Sequence, residues 1–484
     1  MKDLRHFPDI VWTSDSRAVK LGGGFIAISG NRQDGHKKIH EALDRGASAI
    51  LCDESKRLEV TRDFANKTPG VGFYFVASTR EILGPLISRS LGDPSHSMVM
   101  VGVTGTSGKT TTGFILHGIL QEAFQKAGLI GTVEIRIGEE SRPSELTTPG
   151  AEELQHILKE MLDRGTKAVV MEVSSHALDQ WRTYGVAWDS VGFLNLSSEH
   201  LDYHRSMEEY FEAKKLLFTR ETFYATQIGK KVRKVAVLNE WGQRLFSEVE
   251  GIESTGKWED LEFYSDRLRG RFHIGGESAL LEAPLVGSYN AENLSCAVTM
   301  ARGLGISWST ISHSLRTLRQ IPGRLERVAI PDREGPVVLV DYAHKPDALE
   351  KVLRVVRELM KGRGDLWVVF GCGGDRDRTK RPKMGEISAR IADHVILTSD
   401  NPRTEDPERI LDEILGGIPP EILQKCERHV DRREAVFRAI RGAKPGDWVL
   451  IAGKGHEATV TVGKQKFHQD DRQLAREALQ NLDT

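Results

Sequence analysis

Cysteine is scarce in this chain: Cys52, Cys296, Cys372 and Cys426 are the only four among 484 residues, and no two form a C-x-x-C pair. That argues against a disulfide framework or a thiolate zinc site and fits a reducing compartment. Long hydrophobic runs are missing too. No stretch approaches the roughly 18 apolar residues of a bilayer-spanning helix, and Met1 to Pro8 is charged where a signal peptide would carry its apolar core. Nor is there a surplus of one charge: 67 Lys and Arg against 69 Asp and Glu leave a formal charge of −2. A dedicated nucleic-acid binder would show a strong basic excess. Internal repeats and low-complexity tracts are absent as well. The expectation is a globular protein of the cytoplasm, with no nucleic acid and no membrane insertion.

Glycine is plentiful, with 47 residues, which points to tight turns and backbone-lined sites. At roughly 150 residues per domain the length suggests about three domains. Residues 1–97 mix short apolar runs, Phe25 to Ile28 and Gly72 to Val76, with a helical spacing at Ile39, Ala42 and Leu43 closed by Gly46. The turn-rich stretch 91–97 marks the first boundary. From Met98 the pattern becomes strand, loop, helix, with continuous apolar runs at Met98 to Thr104, Ala168 to Val173, Val191 to Leu196 and Val235 to Leu238. Such runs suit parallel strands buried on both faces. Pro322, Gly323, Pro331, Gly335 and Pro336 suggest a linker near residue 328. Beyond it the rhythm repeats: strands at Val337 to Val340, Leu366 to Phe370, Val395 to Thr398 and Trp448 to Ala452, with one apolar helix face over Leu349 to Met360. The chain reads as α/β in three parts, 1–97, 98–328 and 329–484.

After the Met98 run comes Gly105-Thr106-Ser107-Gly108-Lys109-Thr110-Thr111, then an apolar helix. The order suits triphosphate binding. Glycines let backbone N–H groups close on phosphate oxygens, the helix N-terminus adds its dipole, Lys109 reaches the outer phosphates and Thr110 can hold Mg²⁺. Val103 stands where the usual loop has its first glycine. Glu172 ends the apolar strand at Ala168 and is the candidate acidic metal ligand, since a lone Glu there is costly unless paired or metal-bound.

These residues, with Glu172-Val173-Ser174-Ser175-His176, Asn195-Leu196 leading to His200-Leu201-Asp202-Tyr203-His204, Gly287-Ser288-Tyr289-Asn290-Ala291-Glu292-Asn293, Pro322-Gly323-Arg324-Leu325-Glu326 and Asp341-Tyr342-Ala343-His344, resemble in order the ATP-dependent Mur ligases. The likeness runs over essentially the whole chain and is greatest to the branch that adds the third residue of the peptidoglycan stem. It implies a uridine-nucleotide domain, a central P-loop ATPase-like domain and a C-terminal Rossmann-like domain. The implied reaction joins meso-2,6-diaminopimelate to UDP-N-acetylmuramoyl-L-alanyl-D-glutamate through an acyl phosphate, in the synthesis of cell-wall precursors on which cell shape and division depend. A lysine-adding ligase of the same type and a non-catalytic nucleotide-binding scaffold are the alternatives. A monomer is expected, with its last domain closing on the other two.

The resemblance also implies roles. Catalysis falls to Lys109, Glu172, His200 and Lys214, the metal site to Thr110, Glu172, His200 and Lys214, the last as an N6-carboxylysine. ATP contacts are Gly105, Thr106, Ser107, Gly108, Lys109, Thr110, Thr111, Asn290, Asn293, Arg324, Asp341 and His344. The UDP-muramoyl-dipeptide is assigned Ser14, Ser16, Asn31, Arg32, Gln33, Thr147, Thr148, Ser174, Gln180 and Arg182, whose planar guanidinium suits a carboxylate. Diaminopimelate is assigned Arg376, Asp400, Asn401, Pro402, Arg403, Gly453 and Glu457. Asp400-Asn401-Pro402-Arg403 marks the diaminopimelate-adding members, because the distal carboxylate needs a cation. Lysine would leave Arg403 unpaired, at about 3–5 kcal/mol if fully desolvated.

Overall fold

The computed structural model describes residues 4–30, 34–264, 266–331 and 334–482. The chain divides into two compact units, one of residues 1–259, 272–279 and 292–315, the other of residues 260–271, 280–291 and 316–484.

The first unit holds two sheets. The N-terminal sheet runs Trp12–Thr13, Gly24–Ile26, Ala49–Asp53, Gly72–Val76, each pair parallel. The strand expected at Phe25 to Ile28 stops at Ile26, and Ala49–Asp53 enters the sheet although no sequence signal had marked it. Trp12 lies over Gly24, where a Cβ would come within 2.4 Å of the indole, so only glycine fits beneath that ring. Helix Ile39–Asp44 ends with Gly46 at φ 84, as its spacing predicts.

The larger sheet orders its strands Ile252–Ser254, Arg233–Ala236, Ser190–Phe193, Val99–Thr104, Ala168–Glu172, Ala127–Ile130, Glu134–Ile137 and Glu140–Pro143. The first six are parallel and the last two turn back antiparallel. Val99–Thr104 lies in the middle, buried from Met100 onward, which is why its sequence is an unbroken apolar run. The strand expected to reach Leu196 ends at Phe193, because residues 194–197 turn into hydrogen bonds with the glycine loop. Among the described residues no helix is long and apolar enough to cross a membrane.

The second unit is built on the order Glu326–Val328, Val337–Asp341, Trp448–Ala452, Leu366–Phe370, His394–Leu397, Cys426–Arg428. Only Glu326–Val328 is antiparallel. The stretch expected as a linker near residue 328 is therefore an edge strand; its prolines and glycines flank the pairing segment and do not interrupt it. Helix Pro346–Met360 buries Leu349, Val352, Leu353 and Val356, the face its periodicity predicts. Sequence order departs from spatial order at Trp448–Ala452, which inserts between two earlier strands. Open α/β sheets bind ligands at such switch points, outside the carboxyl ends of the strands.

Candidate functional site

In the first unit the glycine loop, Glu172 and Ser174 lie at the carboxyl ends of the central strands. Val99–Thr104 delivers the loop 105–108, and helix Lys109–Phe124 starts on Gly108. Gly108 has φ 83, and a Cβ there would come within 2.2 Å of Asn293 Oδ1, so the loop can pass Asn293 only as glycine. Lys109 Nζ donates to the Gly105 and Thr106 carbonyls at 2.8 and 2.9 Å, which holds the ammonium at the mouth of the loop. Thr110 and Thr111 are buried in the first helical turn.

Glu172, 1% exposed, ends the neighbouring strand. Its carboxylate accepts from Thr110 Oγ1 at 3.1 Å, Thr132 N at 2.9 Å and Thr132 Oγ1 at 3.0 Å. A buried carboxylate is tolerated because donors surround it. Thr132 in turn meets Thr147 Oγ1 at 3.1 Å, and Thr148 Oγ1 donates to the Glu172 carbonyl at 2.8 Å while accepting from Ser174 N at 3.0 Å. Thr110, which the resemblance assigns to ATP, and Thr147, Thr148 and Ser174, which it assigns to the dipeptide, thus share one hydrogen-bonded network around one strand end.

Lys214 is fully enclosed in helix Met207–Lys215 and donates to Gly105 O at 2.8 Å, with its Nζ 4.6 Å from the Tyr210 ring centroid. Burial, and then the charge of Lys109, pull its pKa well below that of an ordinary lysine. The adjacent Lys215 points the other way, bonded to Glu212 at 2.5 Å and Glu248 at 2.9 Å. The structure separates a surface lysine from one aimed at the glycine loop. His200 stands at φ 58, edge-on to His176 at 4.8 Å and to Tyr210 at 6.0 Å between ring centroids.

Arg182 donates to Gln180 Oε1 at 2.6 and 3.1 Å and to Thr148 O at 3.2 Å, and Gln180 Nε2 reaches the Tyr203 hydroxyl at 3.1 Å. Ser14 N donates to Glu152 Oε2 at 2.8 Å, tying the first strand's end to the helix that follows Thr147 and Thr148. Ser16 Oγ is engaged by Glu41 at 2.9 Å. Asn31, Arg32 and Gln33 lie outside the described residues.

Three contributors had no assigned role in the sequence reading. Asn195 Oδ1 accepts from Ser107 N at 3.0 Å and its carbonyl from Thr106 N at 2.9 Å, so it clamps the loop. Thr132 completes the Glu172 shell, and Tyr210 meets Thr106 Oγ1 at 3.2 Å. Each is a common residue type with no motif of its own, though Asn195 stood within a recognised stretch.

The second unit also presents its residues at strand ends. Asp341 closes Val337–Asp341 and accepts from Leu325 N and Ala343 N, both at 2.8 Å. Burial raises its pKa, while Arg324 and these donors oppose that. The Arg324 guanidinium lies 4.9 Å from the Tyr342 ring centroid, and Asn290 Nδ2 donates to Val286 O at 2.7 Å. His344 Nδ1 pairs with Tyr342 O at 2.8 Å, and burial lowers its pKa to about 4.

Around the other strand ends lie the residues assigned to the amino acid. Asn401 Nδ2 donates to Asp400 Oδ1 at 2.8 Å and to Glu457 Oε2 at 3.2 Å; buried Lys454 stands 3.9 Å from Asp400 and 3.8 Å from Glu457. Burial raises the Glu457 pKa. Gly453, at φ 111, would put a Cβ 3.5 Å from Asp400 Oδ2. Pro402 is buried, and its carbonyl would meet a Cβ on Gly374 at 1.9 Å. Arg403 Nη1 donates to Gly374 O at 2.7 Å, and Arg376 Nη1 to Asp375 O at 3.1 Å. A Cβ on Gly373 would lie 2.9 Å from Arg403 Nη1 and 3.8 Å from Arg376 Cγ, so both arginines flank that glycine. Neither forms an ion pair among the described residues.

Three family models match in order: the Mur ligase family catalytic domain over residues 12–89, the Mur ligase middle domain over 103–301 and the Mur ligase glutamate ligase domain over 323–455. A UDP-N-acetylmuramoyl-L-alanyl-D-glutamate--2,6-diaminopimelate ligase from Gloeobacter violaceus is 41% identical, covering 99% of this chain and 96% of its own. The ligase of the same name from Aquifex aeolicus is 41% identical, covering 96% and 93%. A solved structure of a ligase of that name superposes with a TM-score of 0.67 at 30% identity, covering 98% of this chain and 95% of that one.

Proposed function

This chain belongs to the Mur ligase family, and from that premise we propose that it joins meso-2,6-diaminopimelate to UDP-N-acetylmuramoyl-L-alanyl-D-glutamate with ATP, in the synthesis of peptidoglycan precursor. The observation that carries the choice of amino acid is the pair Arg376 and Arg403, two cations flanking Gly373 with no ion-pair partner among the described residues. A substrate with a carboxylate at its far end answers that charge; lysine ends in an ammonium and would be repelled. Asp400 and Glu457 suit the ammonium beside it.

The γ-phosphoryl group of ATP passes to the glutamate carboxylate, ADP leaves, and the amine attacks the resulting acyl phosphate, expelling phosphate and releasing a proton. Lys109 and the N–H groups of the glycine loop and first helical turn offset the phosphate charge. Arg182, bracing Gln180 and Thr148, orients the dipeptide carboxylate. Thr110, Glu172, His200 and Lys214 would hold Mg²⁺, which supplies charge neutralisation across phosphate and carboxylate oxygens. The donor set fits. Thr110 Oγ1 and the Glu172 carboxylate already meet at 3.1 Å, and Mg²⁺ is typically bound by one or two carboxylates together with substrate phosphates. Burial and the charge of Lys109 lower the Lys214 pKa and so favour its amine form, the form that would add CO₂ and lose a proton to give an anionic carbamate beside the glycine loop.

Phosphate release with ATP, Mg²⁺ and the UDP-muramoyl-dipeptide tests the reading. Release is expected with meso-diaminopimelate and not with L-lysine, with a product heavier by that residue. Preference for lysine would overturn the reading of Arg403, and release without any amine would overturn the ligase.

A further inference from the structure

Arg381 belongs to none of the sites above, yet its side chain is wholly enclosed, at 0% exposure. It stands near the start of helix Lys380–Ile391 and makes contacts on both sides. Nη1 reaches Glu405 Oε2 at 2.9 Å and Glu413 Oε2 at 2.8 Å, while Nη2 reaches Glu405 Oε1 at 2.9 Å and the Gly373 carbonyl at 3.1 Å. Glu405 Oε1 also accepts from Asp375 N at 2.5 Å. One guanidinium and one carboxylate therefore span the loop bearing Arg376 and the loop bearing Arg403.

Further bonds close the same seam. Thr404 Oγ1 and N donate to the Asp375 carboxylate at 2.8 and 3.2 Å, and Gly374 N donates to Asn401 O at 2.9 Å. Both loops are held in unfavourable backbone: Asp375 at φ 52 and Arg403 at φ 51 are left-handed without being glycine. Such conformations persist only where the surroundings over-determine them. From the far side, Arg403 N donates to Thr461 O at 3.1 Å and its carbonyl accepts from Gly463 N at 2.7 Å.

We propose that Arg381 and Glu405 are positioning residues that set amino-acid specificity, by locking the two arginine-bearing loops into one rigid receptor for the distal carboxylate. The proposal rests on the diaminopimelate reading above. Arg381 is sealed from solvent and acts through Arg376 and Arg403. A bidentate pair fixes direction as well as distance, which a single lysine contact would not do.

Steady-state kinetics on the full-length enzyme tests this, with Glu405→Gln, Arg381→Lys and the milder Thr404→Val, whose side chain is exposed and loses one hydrogen bond. Glu405→Gln should raise KM for diaminopimelate by about tenfold or more, the size expected for losing a charged hydrogen-bond pair. The ratio of kcat/KM for diaminopimelate over lysine should fall in step, with KM for ATP and for the nucleotide-dipeptide unchanged. Arg381→Lys should not rescue, and Thr404→Val should shift the same KM a few-fold in the same direction even if the other variants fail to fold. A uniform drop in kcat with KM and selectivity intact would overturn the proposal, as would wild-type KM in all folded variants. Wild-type preference between the amines reports on the functional reading, whereas the variant-to-wild-type ratio, taken for whichever amine is accepted, reports on the clamp. A wild type silent with both amines would sink both.

Discussion

At the scale of single residues, burial separates function from resemblance. Lys214 and Lys215 are neighbours in sequence, but one is sealed beneath the glycine loop and the other is paired with Glu212 and Glu248 at the surface. Burial at the glycine loop lowers the Lys214 pKa, and in the proposed reaction its role is chemical, as the carbamate that helps to hold Mg²⁺. Lys214→Ala should therefore lower ligase turnover by at least about a hundredfold, the scale of losing one electrostatic contributor. A short-chain carboxylic acid should restore part of it, and bicarbonate alone should not. Full activity in the variant would remove the role.

His456 allows a second prediction at this scale. Burial, with Arg324 and then Arg472 adding to it, lowers its pKa to about 4, and its Nδ1 is buried without a partner. Because the folded value lies below the unfolded one, neutral His456 contributes full stability above about pH 6.5. That contribution fades as pH falls toward 4, by at most about 3 kcal/mol. His344, with the same shift, acts in the same window. Thermal melts of His456→Gln between pH 4 and 7 should show a shallower pH dependence than the wild type. An equal slope would mean that other groups carry the acid sensitivity.

At the scale of elements, the strand ends do the positioning. The strand Ser190–Phe193 stops two residues before Asn195, which leaves that side chain free of the ladder and able to hold Ser107 from the side. A phosphate loop without that brace would have to order itself on ATP. Asn195→Ala should raise KM for ATP by up to about tenfold, as one or two lost hydrogen bonds would, with faster amide exchange in residues 105–108. Unchanged KM and exchange would show that the loop is held by its own turns. The same logic explains which elements were legible. Val99–Thr104, Leu366–Phe370 and Trp448–Ala452 are buried on both faces and read as apolar runs. Glu140–Pro143 and Gln465–His468 are wholly exposed hairpin strands and carried no hydrophobic signal.

At the scale of the whole molecule, the glycine loop and the two arginines to which the proposed function assigns the incoming amino acid belong to different units of the chain. In the proposed reaction the phosphoryl group moves at one and the amine arrives at the other, and we propose that substrate binding closes the two units on each other. Small-angle scattering should show a smaller radius of gyration once a non-hydrolysable ATP analogue and the UDP-muramoyl-dipeptide are both present. An unchanged curve would count against closure.

The linear order of residues determined the fold class and the reaction family, because a glycine loop after a buried strand, a Glu at the end of the neighbouring apolar strand and ordered downstream motifs are local patterns that backbone sterics and charge restrict to few uses. Many of the residues that the resemblance singled out lie within a few positions of a strand's carboxyl end, as Glu172 and Asp341 do. Only the tertiary structure showed how Lys214 is buried against the glycine loop while Lys215 pairs at the surface, that Asn195 and Thr132 complete the hydrogen bonds around that loop and Glu172, and that Arg381 joins the loops of Arg376 and Arg403. Those depend on burial and on contacts between positions far apart in the chain, such as Thr132 with Glu172, or Arg381 with Glu405. Such pairings leave no period and no spacing in the sequence from which they could be read.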